Sequence, residues 1–180
     1  MPLIGEGAAA RAARVRWVMA AIAVTVLAAD QMSKSLVLAA HPAPGAASLG
    51  WVSVRLVRNT GASGGLASGY PVLVTLAAVA ITVLAAGFAL RARGPVTAGC
   101  LAAVVGGAAG NLADRIFRAP GFGRGAVVDW IHFGTGGGSM DVADLAIQFG
   151  VLGAIIAIVV GDRVRKARQA PGASRAPEGH

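Results

Sequence analysis

Four long apolar segments constrain the fold of this chain more than any other feature of its sequence. They cover residues 17–40, 71–90, 95–113 and 142–161. Each has about 19 to 24 residues, enough for an α-helix to cross the ~30 Å hydrocarbon core of a bilayer. Backbone polar groups find no water in that core, so such segments must span it as helices. The sequence therefore predicts an all-α membrane protein with four transmembrane spans.

The composition favours membrane insertion and argues against a nucleic-acid-binding domain. Only 13% of the residues are charged, roughly half the fraction in soluble domains. The 26 glycines suit closely packed transmembrane helices. The net charge of +8 comes without the pattern of interleaved basic and aromatic residues that binds nucleic acid. The single Cys100 excludes an internal disulfide and a zinc motif, and we interpret it as a packing thiol.

The lysines and arginines predict the orientation of the spans. Ten of them lie before the first span, between the second and third spans, or after the fourth. Six lie in or beside the other connections. Cytoplasmic segments carry the excess of positive charge, so we expect both termini in the cytoplasm. The connections 41–70 and 114–141 then lie outside the cytoplasmic membrane.

The two ends of the chain require separate interpretations. Three arginines followed by the apolar run 17–29 imitate a cleaved signal peptide. Cleavage would leave three spans and place five cations outside, so we expect the first span to be retained. The segment 169–180 is rich in Pro, Gly and Ala and is predicted to be a disordered cytoplasmic tail. Residues 1–168 are predicted to form a single membrane domain.

Both outer connections contain segments with the pattern of strands. In Trp51–Arg58, Val52, Val54 and Leu56 alternate with Ser53, Arg55 and Val57. This period of two predicts a half-buried strand. The segment Gly125–Phe133 is strand-like as well. We expect both strands to lie beside the outer ends of the helices.

Carboxylates cluster at one face of the predicted membrane. A carboxylate at membrane depth is costly and is rarely retained without a function. Five of the eight acidic residues lie at or beyond the outer end of an apolar segment, namely Asp30, Asp114, Asp129, Asp141 and Asp144. Their convergence from distant parts of the chain predicts a site.

Asp129 and Asp144 are candidates for an aspartyl dyad. Asp129 interrupts an apolar strand and Asp144 opens the fourth span. Two carboxylates in one dry site cannot both ionise easily, so one keeps a proton while the other activates water. This chemistry needs neither a metal nor a cofactor. A metal held by aspartates remains an alternative, although no His supports it.

Other polar residues near the same face admit structural as well as functional interpretations. Asp30 and Lys34 share a helix face at i, i+4, and we favour a structural ion pair. Asn59 and Gly61 belong to a turn, and Asn59 offers an amide to a peptide backbone. The run 106–115 has glycines for close helix packing and then polar residues that need partners. Its candidate site residues are Gly107, Asn111, Asp114 and Arg115.

These segments, in this order, resemble the bacterial lipoprotein signal peptidase (signal peptidase II) family. The resemblance extends from about residue 16 to 161. The motifs that carry it are Asp30-Gln-Met-Ser-Lys34, Asn59-Thr-Gly, Gly106–Arg115, Val128-Asp129-Trp130 and Ala143-Asp144.

The resemblance implies a fold, an activity and a site. The fold is a four-helix transmembrane bundle with a small extracytoplasmic β-cradle. The activity is aspartic endopeptidase cleavage of a prolipoprotein before its diacylglyceryl-modified cysteine, inhibited by globomycin, with no cofactor. Asp129 and Asp144 would be the catalytic pair. Supporting or substrate-binding roles fall to Asp30, Lys34, Asn59, Gly61, Gly107, Asn111, Asp114, Arg115 and Asp141. We expect a monomer whose partners are prolipoproteins and membrane lipids.

The chain departs from the family pattern at two positions. Met140-Asp141 stands where the family usually has Phe-Asn, so Asp141 adds a third carboxylate one helical turn before Asp144. Like-charge repulsion should raise a neighbouring carboxylate's pKa unless Arg115 or another cation offsets it. Gly64 stands where the family tends to have an aromatic residue, and its absence should loosen the cradle. We expect a working enzyme with a shifted pH optimum.

Two other functions remain open from the sequence. One is a non-catalytic homologue that binds lipidated peptides, for which Asp141 and Gly64 are the supporting features. The other is a small proton-coupled transporter in which buried acids relay protons. The clustering of the acids at one face argues against the transporter.

Overall fold

Four helices account for most of the protein. The computed structural model describes residues 4–43, 47–134 and 137–169. Its helices are α1 (Ile4–Ala40), α2 (Pro71–Arg91), α3 (Pro95–Phe117) and α4 (Val142–Gln169). Each is long and apolar enough to cross a membrane. The predicted spans lie inside these helices, which continue past the apolar runs at several ends because Ala, Arg and Leu favour helix.

The predicted tail lies almost entirely outside the described residues. Gln169, its first residue, ends α4. Nothing in the structure bears on residues 170–180.

The helix ends follow from local sequence. Pro71 and Pro95 open α2 and α3, where a fixed φ and a missing N–H cost nothing. A short turn joins the two helices, and this turn makes them antiparallel neighbours. Asp141 lies at the start of α4, and its Oδ1 accepts a hydrogen bond from the Asp144 N–H at 2.7 Å. Asp141 is therefore the N-cap of α4.

The third helix is the centre of the bundle. It packs against α1, α2 and α4 and is the most buried of the four. Its glycines allow the close approach: a Cβ on Gly106 would lie 2.5 Å from the Ala23 carbonyl oxygen of α1. A Cβ on Gly107 would lie 2.5 Å from the Ala143 carbonyl oxygen of α4. Small residues therefore set the spacing of the bundle.

The outward surfaces of the helices are apolar. Large exposed side chains on α2 and α4 include Leu76, Ile81, Leu84, Ile155 and Ile158. A belt of this size would be unstable in water, and it suits contact with lipid chains.

A four-stranded antiparallel sheet covers one end of the bundle. Its strands are β1 (Ser48–Leu49), β2 (Val52–Asn59), β3 (Val127–Phe133) and β4 (Ser139–Met140), in that order. The predicted strands at 51–58 and 125–133 are thus confirmed as β2 and β3. Val57 pairs with Asp129 across the β2–β3 ladder. We call this the sheet end and the other end, where α1 begins and α4 finishes, the terminal end.

Candidate active site

Asp129 and Asp144 come together at the sheet end. Asp129 lies in β3 and is 3% exposed, while Asp144 lies in the first turn of α4 and is half-buried. The Asp141 carboxylate joins them, and one oxygen from each of the three lies within 4.8 Å of the others. A strand and a helix N-terminus thus bring two carboxylates from separate parts of the chain to one point.

An amide side chain orients each of the two carboxylates. Asn59 donates its Nδ2 hydrogen to Asp129 Oδ2 at 3.2 Å. Asn111 donates its Nδ2 hydrogen to Asp144 Oδ1 at 3.0 Å. Asn59 is itself fixed by the turn after β2, where its Oδ1 accepts the Gly61 N–H at 3.0 Å. Both carboxylates are therefore held by neutral donors.

Lys34 is the buried cation of the site. It is 0% exposed, and its Nζ lies 2.8 Å from Asp30, 3.0 Å from Asp114 and 2.7 Å from Asp141. It also donates a hydrogen bond to Asn111 Oδ1 at 2.9 Å. An ammonium has three protons for these four oxygens. Asp141 Oδ2 has no hydrogen-bond partner among the described residues, although Nζ is close enough to form an ion pair.

The predicted Asp30–Lys34 pair belongs to this larger network. Asp30 Oδ1 also accepts the Ala143 N–H at 3.0 Å, so α1 holds the first turn of α4 in place. Gln31 donates to Asp30 Oδ2 at 3.1 Å and to Asp114 Oδ1 at 3.2 Å. Gln31 is not among the predicted site residues. Its position beside Asp30 inside an apolar segment was the signal available.

Asp114 and Arg115 do not pair with each other. Asp114 Oδ1 accepts a hydrogen bond from Arg118 Nε, and its Oδ2 accepts the Val128 N–H at 3.1 Å. Asp114 therefore joins α3 to β3. Arg115 donates from NH2 to the Gly61 carbonyl oxygen at 2.6 Å. Its buried NH1 has no partner among the described residues.

The ion pair between Arg118 and Asp114 is not among the predictions made from the sequence. The i, i+4 spacing of the two residues along α3 was the available signal.

Burial changes the protonation of the two carboxylates that lie outside the spans. The pKa of Asp129 is raised to about 6 by burial and by the Asp144 carboxylate, against the hydrogen bond from Asn59. The pKa of Asp141 is raised to about 7, chiefly by burial, with Lys34 opposing and the Asp144 and Asp30 carboxylates adding. Lys34 is thus the cation in direct contact with Asp141. Near neutral pH the site can hold a proton.

A cavity of about 650 Å³ opens beside these carboxylates. One wall is apolar and comes from α2, running from Leu73 to Ile81, about 12 Å along the helix. Residues of α3 and α4 form the facing walls. The polar side chains that line it are those of Asn59, Asn111, Arg115, Asp129, Ser139, Asp144 and Gln148. The cavity is an apolar groove with polar groups gathered at its sheet end.

A smaller cavity of about 270 Å³ adjoins the first on its sheet side. Both cavities are lined by Asn59, Gly64 and Asp129. The smaller one takes all of its lining from the strands and their connections. Gly64 has left-handed backbone geometry, and a Cβ there would meet no atom within 4 Å. The space beside Gly64, which lines both cavities, is thus open.

Two glycines of the predicted site have structural roles. A Cβ on Gly61 would lie 2.5 Å from the Leu66 carbonyl oxygen, so only glycine fits the turn that carries Asn59. Gly107 lets α4 approach α3. Neither contributes a side chain, yet both place the side chains that line the groove.

The cluster of Asp129, Asp141 and Asp144 is a poor fit for a metal ion. Asp141 Oδ1 caps α4, and its Oδ2 faces the Lys34 ammonium at 2.7 Å. A cation placed there would meet the ammonium charge. His132 lies near Ser139 and is not among the residues of this cluster.

Comparison with known proteins identifies a family. The family model of signal peptidase (SPase) II matches residues 22–160. A lipoprotein signal peptidase of Rhodococcus jostii is 38% identical over 151 residues, which cover 81% of this chain and 74% of the relative. A lipoprotein signal peptidase of Mycobacterium avium is 40% identical over 142 residues, covering 77% of this chain and 75% of the relative.

Solved structures share the fold. A bacterial membrane enzyme solved by the in meso method at 2.3 Å matches with a TM-score of 0.68 and 22% identity. The match covers 88% of this chain and 94% of that one. A second, solved at 1.9 Å, matches with a TM-score of 0.64 and 24% identity, covering 78% and 91% of the two chains.

Proposed function

The chain belongs to the signal peptidase II family, and from this premise we propose that it is an aspartic endopeptidase that removes signal peptides from prolipoproteins. The observation that carries the proposal is the meeting of Asp129 and Asp144 beside an apolar groove. We propose these two residues as the catalytic pair. Cleavage falls before the cysteine that bears the diacylglyceryl group.

The groove suits a substrate that arrives within the bilayer. A signal peptide is an apolar helix, and the α2 wall from Leu73 to Ile81 offers it an apolar surface at membrane depth. The acyl chains on the cysteine stay among the lipids. Holding both molecules in one membrane reduces the search for the correct geometry to two dimensions, which supplies part of the rate enhancement.

Asp129 and Asp144 would share one proton in the resting site. The ionised carboxylate takes a proton from water, and the resulting hydroxide attacks the scissile carbonyl carbon. The protonated carboxylate donates its proton to the carbonyl oxygen. In the collapse of the tetrahedral intermediate, a hydroxyl proton passes to the ionised carboxylate, the C–N bond breaks, and the departing amine takes the proton of the other carboxyl group, so the pair again holds one proton. The raised pKa of Asp129, about 6, supports a shared proton near neutral pH.

Arg115 is placed to assist this chemistry. It lines the groove together with both aspartates, and its NH1 is buried without a partner among the described residues. A guanidinium there would donate to a substrate carbonyl and favour the negative charge that develops on it. Asn59 and Asn111 would keep the carboxylates oriented throughout.

We propose a monomer in the bacterial cytoplasmic membrane, with both termini in the cytoplasm and the site at the extracytoplasmic face. The distribution of lysine and arginine supports this orientation. Membrane lipids would then surround the bundle, and globomycin would inhibit the enzyme as it does the family. A proton-coupled transporter is not favoured, because the described acids of the site gather at the sheet end instead of forming a path along the helices.

Cleavage of a diacylglyceryl-modified prolipoprotein peptide by the purified, detergent-solubilised protein tests the proposal. We expect globomycin-sensitive cleavage by the wild type. Asp129→Asn and Asp144→Asn should each lower kcat by about 10²- to 10⁴-fold, the range for loss of a general acid or base. Asp162→Asn, at an exposed acid of the terminal end, is the matched control and should cleave at the wild-type rate.

Binding distinguishes loss of chemistry from loss of fold. Both asparagine variants should still bind the lipopeptide, because the groove is intact. Wild-type protein that binds the peptide without cutting it would identify a non-catalytic homologue and refute the proposal. Full activity in either asparagine variant would refute the assignment of that residue.

A further inference from the structure

A third cavity, of about 580 Å³, lies at the terminal end, far from the proposed active site. It is formed by the α2–α3 turn, the start of α3 and the last turns of α4. Its lining residues on α4 are Ala157, Ile158, Gly161, Asp162 and Arg165. These recur with the period of one helix face, as Thr97 and Leu101 do on α3. The side chains of a continuous face of each helix therefore border this space.

The cavity has one apolar part and one basic part. Phe88, Leu101 and Ile158 lie toward the membrane interior. Arg91 is the last residue of α2, and Arg93 lies in the α2–α3 turn at the terminal end of the bundle. Among the described residues, neither arginine has a carboxylate within 4.0 Å, whereas Arg165 is paired with Asp162. The lining is therefore amphipathic and carries unneutralised positive charge.

We infer that this cavity binds the headgroup of an anionic phospholipid. A guanidinium binds phosphate oxygens in a bidentate manner, and basic pockets between transmembrane helices hold lipid headgroups of this kind. The acyl chains would lie against Phe88, Leu101 and Ile158. The orientation of membrane proteins explains why arginines lie at this end, but it does not require a space of this volume, lined by apolar side chains of α2, α3 and α4, beside them. This inference is independent of the proposed peptidase activity.

Lipid retention measured by native mass spectrometry in a neutral detergent tests the inference. We expect the wild type to retain phosphatidylglycerol in preference to phosphatidylcholine. The double variant Arg91→Gln/Arg93→Gln should bind phosphatidylglycerol about fivefold more weakly for each arginine removed. The control Arg14→Gln/Arg163→Gln removes the same charge. Arg14 lies on α1 and Arg163 on the opposite face of α4, and neither lines the cavity, so binding should be retained.

A second variant places a side chain in the cavity without changing its charge. A Cβ on Gly161 would meet no atom within 4 Å, so Gly161→Leu should fold and extend its side chain into the cavity. We expect it to lose the preference for phosphatidylglycerol, with the same thermal unfolding temperature as the wild type. This variant decides the question if the double arginine variant does not fold.

Several results would overturn the inference. They are equal retention of the two lipids by the wild type, equal losses in both double variants, and wild-type binding by Gly161→Leu. Inorganic phosphate that displaces the lipid at a similar concentration would assign the cavity to free anions and not to a lipid.

Discussion

Charge balance around Lys34 makes Asp141 an unusual residue. Lys34 and Arg118 face three buried carboxylates, those of Asp30, Asp114 and Asp141. With a neutral Asn at position 141, the two positive and two negative charges would cancel. Aspartate leaves one buried negative charge uncompensated, and burial raises the pKa of Asp141 to about 7. Asp141 is therefore partly protonated near neutral pH.

Replacing Asp141 should move the pH dependence of cleavage. Asp141→Asn keeps a good N-cap for α4 but removes a negative charge beside the proposed catalytic pair. Less negative charge lowers the pKa values of that pair, so we expect the whole pH–rate profile to shift to lower pH by roughly one unit. The charged groups facing Asp141 are Asp30 and Lys34 of α1, Asp114 and Arg115 of α3, Asp129 of β3 and Asp144 of α4.

Stability supplies a second readout for the same variant. Because the folded-state pKa values of Asp129 and Asp141 are raised, the folded protein binds more protons than the unfolded chain between about pH 4 and 7. The free energy of unfolding should therefore fall as pH rises through this window, less steeply in Asp141→Asn. Asp162→Asn is the control and should change neither slope nor profile. Identical profiles for Asp141→Asn and the wild type would contradict this account.

Among the elements, α3 has the largest part in forming the site. It supplies Asn111, Asp114 and Arg115 and is packed between α1 and α4. A Cβ on Gly110 would lie 2.5 Å from Asp30 Oδ2, so glycine is needed where the buried network passes between α1 and α3. Close contact through glycines, more than any single ion pair, brings the charged groups of three helices within reach of one ammonium.

Gly107→Ala tests this dependence of the site on helix spacing. The added methyl would lie 2.5 Å from the Ala143 carbonyl oxygen, and backbone cannot move aside without shifting the first turn of α4 and Asp144 with it. We expect a loss of about 1–3 kcal/mol in the free energy of unfolding together with a lower kcat. Thermal unfolding in detergent and the cleavage assay measure the two effects.

Gly99→Ala is the matched control on the same helix. Its Cβ would lie 3.5 Å from Ile22 Cδ1, an ordinary contact, and alanine favours helix more than glycine does. It should be as stable as the wild type or slightly more so. If both substitutions changed the free energy of unfolding and kcat equally, the effect of alanine in α3 would not depend on helix spacing, and this account would be wrong.

For the whole molecule, orientation in the membrane is the property that joins site and substrate. The proposed topology puts the sheet end outside and the α2–α3 turn in the cytoplasm. In a Cys100→Ala background, Arg124→Cys should react with a membrane-impermeant maleimide in intact spheroplasts. Arg93→Cys should react only after the membrane is permeabilised. The opposite pattern would invert the topology and place the site on the cytoplasmic side.

Local patterns in the sequence were enough to predict the elements and the chemical class of the site. Hydropathy over 19 to 24 residues predicted four spans, and alternation with period two predicted β2 and β3, because both depend on neighbours along the chain. The family motifs predicted Asp129 and Asp144 as the catalytic pair, and this assignment stays a prediction. Which side of the membrane each end occupies rests on charge counting and stays a prediction.

Tertiary structure alone decided which charges from distant segments of the chain meet. Lys34 bonds Asn111 across 77 residues, and Asp30 holds the Ala143 N–H across 113. Asp114 of α3 pairs with Lys34 of α1, whereas the side chain of its neighbour Arg115 donates to the Gly61 carbonyl oxygen. These choices depend on the rotation and spacing of whole helices, which glycine contacts determine in three dimensions and which no local period in the sequence encodes.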